Sequence, residues 1–356
     1  MSHSSPLSES DKQRVISALD TFKIETPSWG YADTGTRFGK FLQDAAAVDI
    51  FDKIADAAEV NRLTGCCPTM AIHADWDITP EVTPEKLTAE ASAQGVKIGS
   101  INPNLFQDQQ FKFGSLAAPS AEARALAIEK SKKSVELARA VDSPLISFWL
   151  ADGTNYPGQD SIVARKERLE ASLQAIHATL TPEQVMLIEY KPFEPAFYTT
   201  DIADWGMALH FSRKAGPQAK ILVDTGHHLQ GQNIEHIVAF LLSEGMLGGF
   251  HFNDRRYADD DLTLGSIDPY QIFRIFNEIC DHHFRTGAWP EIAYMIDQSH
   301  NLKPKVEAMV QTVVRAQELF AKAALVDREA LAKAQAECDI VTAEDLLQKA
   351  FYAEVS

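Results

Sequence analysis

Glu189, Lys191, Asp224, His227, His251, Asp259, Asp261 and Asp297 are the residues of this chain best fitted to chemistry. They stand at or just beyond the ends of four successive apolar runs, "VMLIEYKP" (185–192), "KILVDTGHH" (220–228), "GGFHFND" (248–254) and "EIAYMID" (291–297), with the acidic stretch "DDD" (259–261) following the third. An ionised carboxylate at the end of a strand covered on both faces is costly unless it is paired or binds a metal. Four consecutive run ends carrying Glu, Asp or His therefore point to shared cations. Oxygen ligands with a few imidazoles and no thiolate suit Mn²⁺, Mg²⁺ or Co²⁺ better than a structural zinc. The candidate ligands are too many for one ion that must also admit a substrate, so two ions are expected.

Taken singly, each residue has a plainer reading. Glu189 with Lys191 makes a strand-end salt bridge, Asp224 caps a helix, and Asp259, Asp260 and Asp261 form a solvated loop. Asp254 is expected to pair with Arg255 and Arg256. His228, His236, His282, His283 and His300 are expected on the surface or in loops. The joint arrangement favours the metal reading, as does the two-residue spacing: in extended backbone, residues i and i+2 share a side, so Glu189 faces with Lys191, and Asp259 with Asp261, while Asp260 points away.

Strands must carry these ends. Four earlier runs, "FKIETPSW" (22–29), "TMAIHADW" (69–76), "VKIGSIN" (96–102) and "PLISFWLAD" (144–152), bring the total to eight, with helical periodicity between them. This alternation predicts an α/β chain folded as a (β/α)8 TIM barrel, whose chemistry sits at the C-terminal ends of its strands. No GxGxxG turn supports an open dinucleotide-binding sheet. Residues 1–303 are read as the barrel. Residues 304–356, rich in Ala, Leu and Glu, are read as a C-terminal helical extension for packing or assembly.

Composition narrows the partners. In 356 residues, 45% are hydrophobic and 23% charged, as in an ordinary globular protein. The net charge of −17, with no basic cluster, argues against nucleic acid as a partner and hence against a metal-dependent apurinic endonuclease. No window reaches eighteen apolar residues, so no membrane span is expected. No signal sequence is visible, and Cys66, Cys67, Cys280 and Cys338 form no CxxC pair. They are read as reduced thiols, Cys66 and Cys67 buried and inert, in a cytoplasmic protein.

Trp29, Trp76 and Trp149 fall at or just past the ends of the first, second and fourth runs. Each alone is a core residue; together they form a wall for the C–H faces of a sugar, with Phe38 as a further member. His73, at the second run's end, is placed to hydrogen-bond a sugar oxygen. A sugar-binding protein without turnover is the rival reading, weakened by Lys191 and the Asp259/Asp261 pair.

The ordered set Glu189-x-Lys191, Asp224-x-x-His227, His251, Asp259-x-Asp261 and Asp297 resembles the metal site of the xylose isomerase-like barrels. "PSWGYADTGTRF", "HADWD", "WLADGTNYPGQ" and "GFHFNDRRYADDDL" resemble, more narrowly, the broad-specificity bacterial L-rhamnose isomerases. The resemblance covers essentially the whole chain. It implies an aldose–ketose isomerase acting on L-rhamnose and on sugars such as D-allose, active as a homotetramer. It further implies two divalent cations per subunit, Mn²⁺ first, with Co²⁺, Mg²⁺ or Zn²⁺ as alternatives. Glu189, Asp224, His251 and Asp297 would hold a structural ion. His227, Asp259 and Asp261, with Asp224 bridging, would hold a catalytic one. Lys191 would contact the C1 oxygen, His73 the ring oxygen or O5, and Trp29, Phe38, Trp76 and Trp149 would line the pocket.

Overall fold

The computed structural model describes residues 7–36, 39–194 and 198–355. Eight strands form one closed barrel: β1 (Ile24–Pro27), β2 (Thr69–His73), β3 (Lys97–Asn102), β4 (Leu145–Phe148), β5 (Val185–Glu189), β6 (Ala219–Asp224), β7 (Leu247–Phe252) and β8 (Ala293–Ile296). Around the barrel the order is β1, β8, β7, β6, β5, β4, β3, β2, and every neighbouring pair is parallel. Each strand lies inside, or within one residue of, a run expected from sequence, so the expected barrel is the observed one.

Helix α1 (Glu9–Thr21) precedes β1. Helices α2 (Ile50–Thr64), α3 (Pro84–Ala93), α4 (Ala121–Ala140), α5 (Ile162–His177), α6 (Trp205–Ala215), α7 (Ile234–Ser243) and α8 (Pro269–Thr286) then alternate with the strands. Local chemistry sets their ends. The side chains of Ser120, Ser161, Asp204, Asn233 and Asp268 each accept a first-turn backbone N–H. Helix α8 starts with Pro269 and stops at Gly287, whose φ of 75° puts it in the left-handed region.

Helix α9 (Lys305–Ala324) packs against α8 and α2 and so fills the eighth place in the outer ring. Among the described residues, α10 (Arg328–Ala336) and α11 (Ile340–Phe351) are the helices beyond it. We therefore propose that the barrel runs to Ala324, later than the expected boundary at 303, because the helix after β8 is needed to cover that strand. Helix α11 is anchored by Phe351, whose ring packs edge-on against Phe273 (5.4 Å) and Tyr270 (4.9 Å) of α8.

Alternation along each strand sorts side chains between two layers. Met186 and Ile188 of β5 join the large core between strands and helices, whereas Leu187 packs with Leu222 and Met295 inside the barrel. Two residues beyond these three inner residues stand Glu189, Asp224 and Asp297. The same parity that fills the barrel with apolar side chains thus aims three carboxylates inward at its C-terminal mouth. Lower in the barrel, the buried Glu25 accepts hydrogen bonds from Ser100 N (3.0 Å) and Oγ (2.5 Å). A Cβ on Gly99 would stand 1.4 Å from Glu25 Oε2, so a glycine is required there.

No helix among the described residues is long and apolar enough to cross a membrane. Cys66, Cys67 and Cys280 are buried, Cys338 is exposed, and none is in a disulfide.

Candidate metal centre and sugar cavity

At the C-terminal mouth, Glu189, Lys191, His227, His251, Asp259, Asp261 and Asp297 line one cavity of about 270 Å³ together with Trp29, His73, Trp76 and Trp149. Asp224 lies behind them, fully enclosed. The ends of β5, β7 and β8, the turn after β6 and the loop after β7 supply the acidic side. Phe38 falls outside the described residues.

Two imidazoles tie the carboxylates together. His227 Nδ1 lies 3.0 Å from Glu189 Oε1, and its Nε2 lies 3.1 Å from Asp259 Oδ1 and 3.9 Å from Asp224 Oδ2. His251 Nδ1 lies 3.2 Å from Glu189 Oε2, 3.6 Å from Asp297 Oδ2 and 4.0 Å from Asp224 Oδ2. The result is two groups of possible metal ligands, Glu189/Asp224/His251/Asp297 and Asp224/His227/Asp259, each with ligand atoms within 4.8 Å of one another and both containing Asp224. Asp261 belongs to neither group as arranged, but it faces the same cavity from a left-handed backbone position, φ 46°.

The electrostatics are those of a site built around positive charge. Burial and the neighbouring charges of Glu189, Asp259 and Asp297 push Asp224 up to about 7, against the pull of His227. Asp261 is raised well above the usual carboxylate range, by burial and then by Asp259, Asp297 and Asp224, and burial also raises Asp297. Glu189 is lowered to about 2, since His251 and His227 outweigh its own desolvation. Burial alone would lower His251, but Glu189, Asp297 and Asp224 raise it to about 9. Like-charged groups so close together cannot all ionise without compensating cations or protons. Glu189 Oε1, His251 Nδ1 and Asp259 Oδ1 are moreover buried, and their close imidazole–carboxylate contacts lack the geometry of hydrogen bonds. Orphaned donor atoms of this kind, mostly oxygen with two imidazoles, fit divalent cations such as Mn²⁺, Mg²⁺ or Co²⁺.

Asn253, fully buried and not foreseen from sequence, holds Asp224 in place: its Nδ2 donates to Oδ1 at 3.0 Å and to Oδ2 at 3.2 Å. Gly226 N also donates to Asp224 Oδ1, at 2.6 Å. A Cβ on Gly226 would stand 2.5 Å from Asn253 Oδ1, so the close approach depends on glycine.

Opposite the acidic side, the rings form a continuous wall. His73 stacks on Trp76 with centroids 3.8 Å apart, meets Trp29 edge-on at 6.1 Å, and is joined through Phe106 to Trp149, with centroid distances of 5.9 and 4.8 Å. Trp29 links the two halves by donating from Nε1 to Asp297 Oδ1 at 2.8 Å. Lys191 links them as well, 2.7 Å from Asp259 Oδ2 and 5.1 Å from the centre of the Trp149 ring. Burial lowers His73 to about 4, which leaves its imidazole neutral. Phe106, Asn102 and Ser147 also line the cavity and were missed in the sequence. Ser147 was open to detection, since it shares a strand face with Trp149.

One expectation is corrected and a second holds in part. Asp254 makes no ion pair with Arg255 or Arg256 among the described contacts; its carboxylate accepts from the backbone N–H of Arg255 (2.9 Å), Ile267 (2.8 Å) and Asp268 (3.1 Å), which holds the loop to the start of α8. His228 lies in the turn after β6, as one of the two readings had it, but is buried rather than on the surface, with Nε2 2.6 Å from Tyr190 Oη. Asp260 accepts from Arg256 N (2.6 Å) and Tyr257 N (2.8 Å) and so closes the turn that presents Asp259 and Asp261.

Comparison with known proteins agrees with this architecture. The family model described as "Xylose isomerase-like TIM barrel" matches residues 42–299. A probable sugar isomerase of Rhizobium meliloti is 38% identical over 350 residues, covering 97% of this chain and 81% of the relative. Another, of Mesorhizobium japonicum, is 38% identical over 346 residues, covering 96% and 80%. Among solved structures, 3-keto-D-glucoside 4-epimerase from E. coli is similar with a TM-score of 0.59 at 13% identity, covering 83% of this chain and 98% of the other, a likeness of fold alone. The chain belongs to the xylose isomerase-like TIM barrel family.

Proposed function

We propose that the chain is a metal-dependent aldose–ketose isomerase that interconverts L-rhamnose and L-rhamnulose and also accepts related sugars such as D-allose. The observation that carries this reading is the pair of ligand groups sharing Asp224, set against an aromatic wall across one cavity. The relatives named as probable sugar isomerases support it. Glu189, Asp224, His251 and Asp297 would hold one divalent cation, and His227, Asp259, Asp261 and Asp224 the other, Mn²⁺ in first place.

When bound, the cations neutralise negative charge that develops on two adjacent sugar oxygens. The reaction moves a hydrogen from C2 to C1 and a hydroxyl proton from O2 to O1. Lys191, held by Asp259, donates an N–H to the C1 oxygen. His73 offers a neutral imidazole, with a buried and unpartnered Nδ1, to the ring oxygen or O5 during ring opening. Trp29, Trp76 and Trp149 cover the C–H faces of the sugar and exclude water. Every carboxylate lining the cavity among the described residues is assigned to a cation, so none is left free as a base at C2. This favours direct hydrogen transfer over proton abstraction by a side chain.

An aldose panel assayed with Mn²⁺ or Co²⁺ tests the reading: the highest kcat/KM is expected for L-rhamnose, with D-allose next. Turnover of D-xylose alone would replace the assignment with a xylose-type one, and no ketose from any aldose would overturn it. We also propose a homotetramer in the cytoplasm, to be checked by light scattering and by cell fractionation.

A further inference from the structure

Outside the ligand set, one buried ion pair reaches the substrate side of the cavity. Lys53 on α2 and Asp77, at the end of the single helical turn Ala74–Asp77, are 7% and 3% exposed, and their Nζ and Oδ1 lie 2.5 Å apart. The other oxygen, Asp77 Oδ2, accepts from Ser28 Oγ at 2.5 Å and from the backbone N–H of His73 at 2.8 Å. Ser28 immediately precedes Trp29, and Trp76 immediately precedes Asp77. One carboxylate therefore joins the end of β1 to the end of β2 at the three places where Trp29, His73 and Trp76 leave the backbone.

A pair this deeply buried is a poor device for stability alone, because desolvation of both charges offsets their attraction. Its geometry suits positioning, since Asp77 meets Lys53 through one oxygen and holds two donors, from the ends of β1 and β2, on the other. We propose that Lys53 is a positioning residue for the sugar: acting through Asp77, it sets the distance and tilt of Trp29, His73 and Trp76 against the acidic side of the cavity. This inference rests on the cavity being a sugar site. Lys53 touches neither the cavity nor the ligand groups, so its loss acts on binding of the substrate rather than on the reacting atoms.

The test uses the metal-loaded, full-length protein with Lys53→Met, Lys53→Arg and Ser28→Ala. For Lys53→Met the expected result is a rise in KM of about tenfold with kcat within about twofold, a loss of uniform binding. Lys53→Arg is expected to restore most of it. Ser28→Ala, which buries no charge, should raise KM in the same direction and keeps the test open if Lys53→Met does not fold. Independently of turnover, the indole ¹H–¹⁵N resonances of Trp29 and Trp76 should shift in Lys53→Met and Ser28→Ala and return in Lys53→Arg. An unchanged KM together with unchanged indole resonances in folded Lys53→Met or Ser28→Ala overturns the proposal. If the unaltered protein converts no aldose, the proposed function fails on its own, and the indole resonances still decide whether Lys53 sets the wall.

Discussion

The His227 imidazole bridges two carboxylates from different parts of the barrel, with Nδ1 3.0 Å from Glu189 at the end of β5 and Nε2 3.1 Å from Asp259 in the loop after β7. Its position makes the acidic loop part of the barrel mouth. Asp259 is held far below the usual carboxylate range because His227 and Lys191 outweigh its desolvation.

Metal removal is expected to abolish turnover. Protein stripped with EDTA should form no ketose from L-rhamnose, and Mn²⁺ or Co²⁺ should restore it. The melting temperature should rise with added Mn²⁺, since a ligand bound only by the folded state stabilises it by mass action. Full activity after exhaustive stripping, verified by elemental analysis, would sink the two-cation reading.

His227→Asn and Asp261→Asn are each expected to lower kcat by at least about a thousandfold with the circular dichroism spectrum retained, as for loss of charge stabilisation in the transition state. Near wild-type rates for Asp261→Asn would remove that residue from the site. The prediction is sharp because Asp261 stands outside the compact ligand groups as arranged, so its role depends on a small rotation toward the ion.

Cation binding should release protons. His251 is raised to about 9 and His227 is raised well above an ordinary imidazole, so both carry protons at neutral pH in the cation-free protein. A bound divalent cation requires neutral imidazoles and ionised carboxylates, and apparent affinity should therefore increase from pH 6 to 9. The raised His251 also stabilises the cation-free fold below the ordinary imidazole range, and that stability is lost as pH rises through about 9. Titration calorimetry in buffers of different ionisation enthalpy measures the proton count; affinity independent of pH would contradict the assignment.

Asn253→Ala is expected to weaken cation binding about 10- to 100-fold, because Asp224 loses the amide that orients both of its oxygens. The dissociation constant for Mn²⁺, followed by electron paramagnetic resonance, gives a readout independent of catalysis. Unchanged affinity would mean that Gly226 N alone suffices to hold the carboxylate.

The sequence by itself determined the eight strands and the inward parity of Glu189, Asp224 and Asp297, because period-two alternation is a local property of extended backbone. It also placed His227, Trp29, Trp76 and Trp149 at the C-terminal end of the barrel, since those residues follow their strands within a few positions. Tertiary structure decided what depends on packing between distant segments. Asn253 could not be distinguished from an ordinary strand-end amide until β7 was laid beside β6, and nothing local marks Lys53 as the partner of Asp77, 24 residues away. Asp254 bonds the backbone amides of Arg255, Ile267 and Asp268 rather than a guanidinium group, and His228 meets Tyr190 from the end of the neighbouring strand, contacts that only the packed chain provides. A strand's parity is written in its own residues, whereas the partner of a buried polar group is chosen by the fold that excludes water from it.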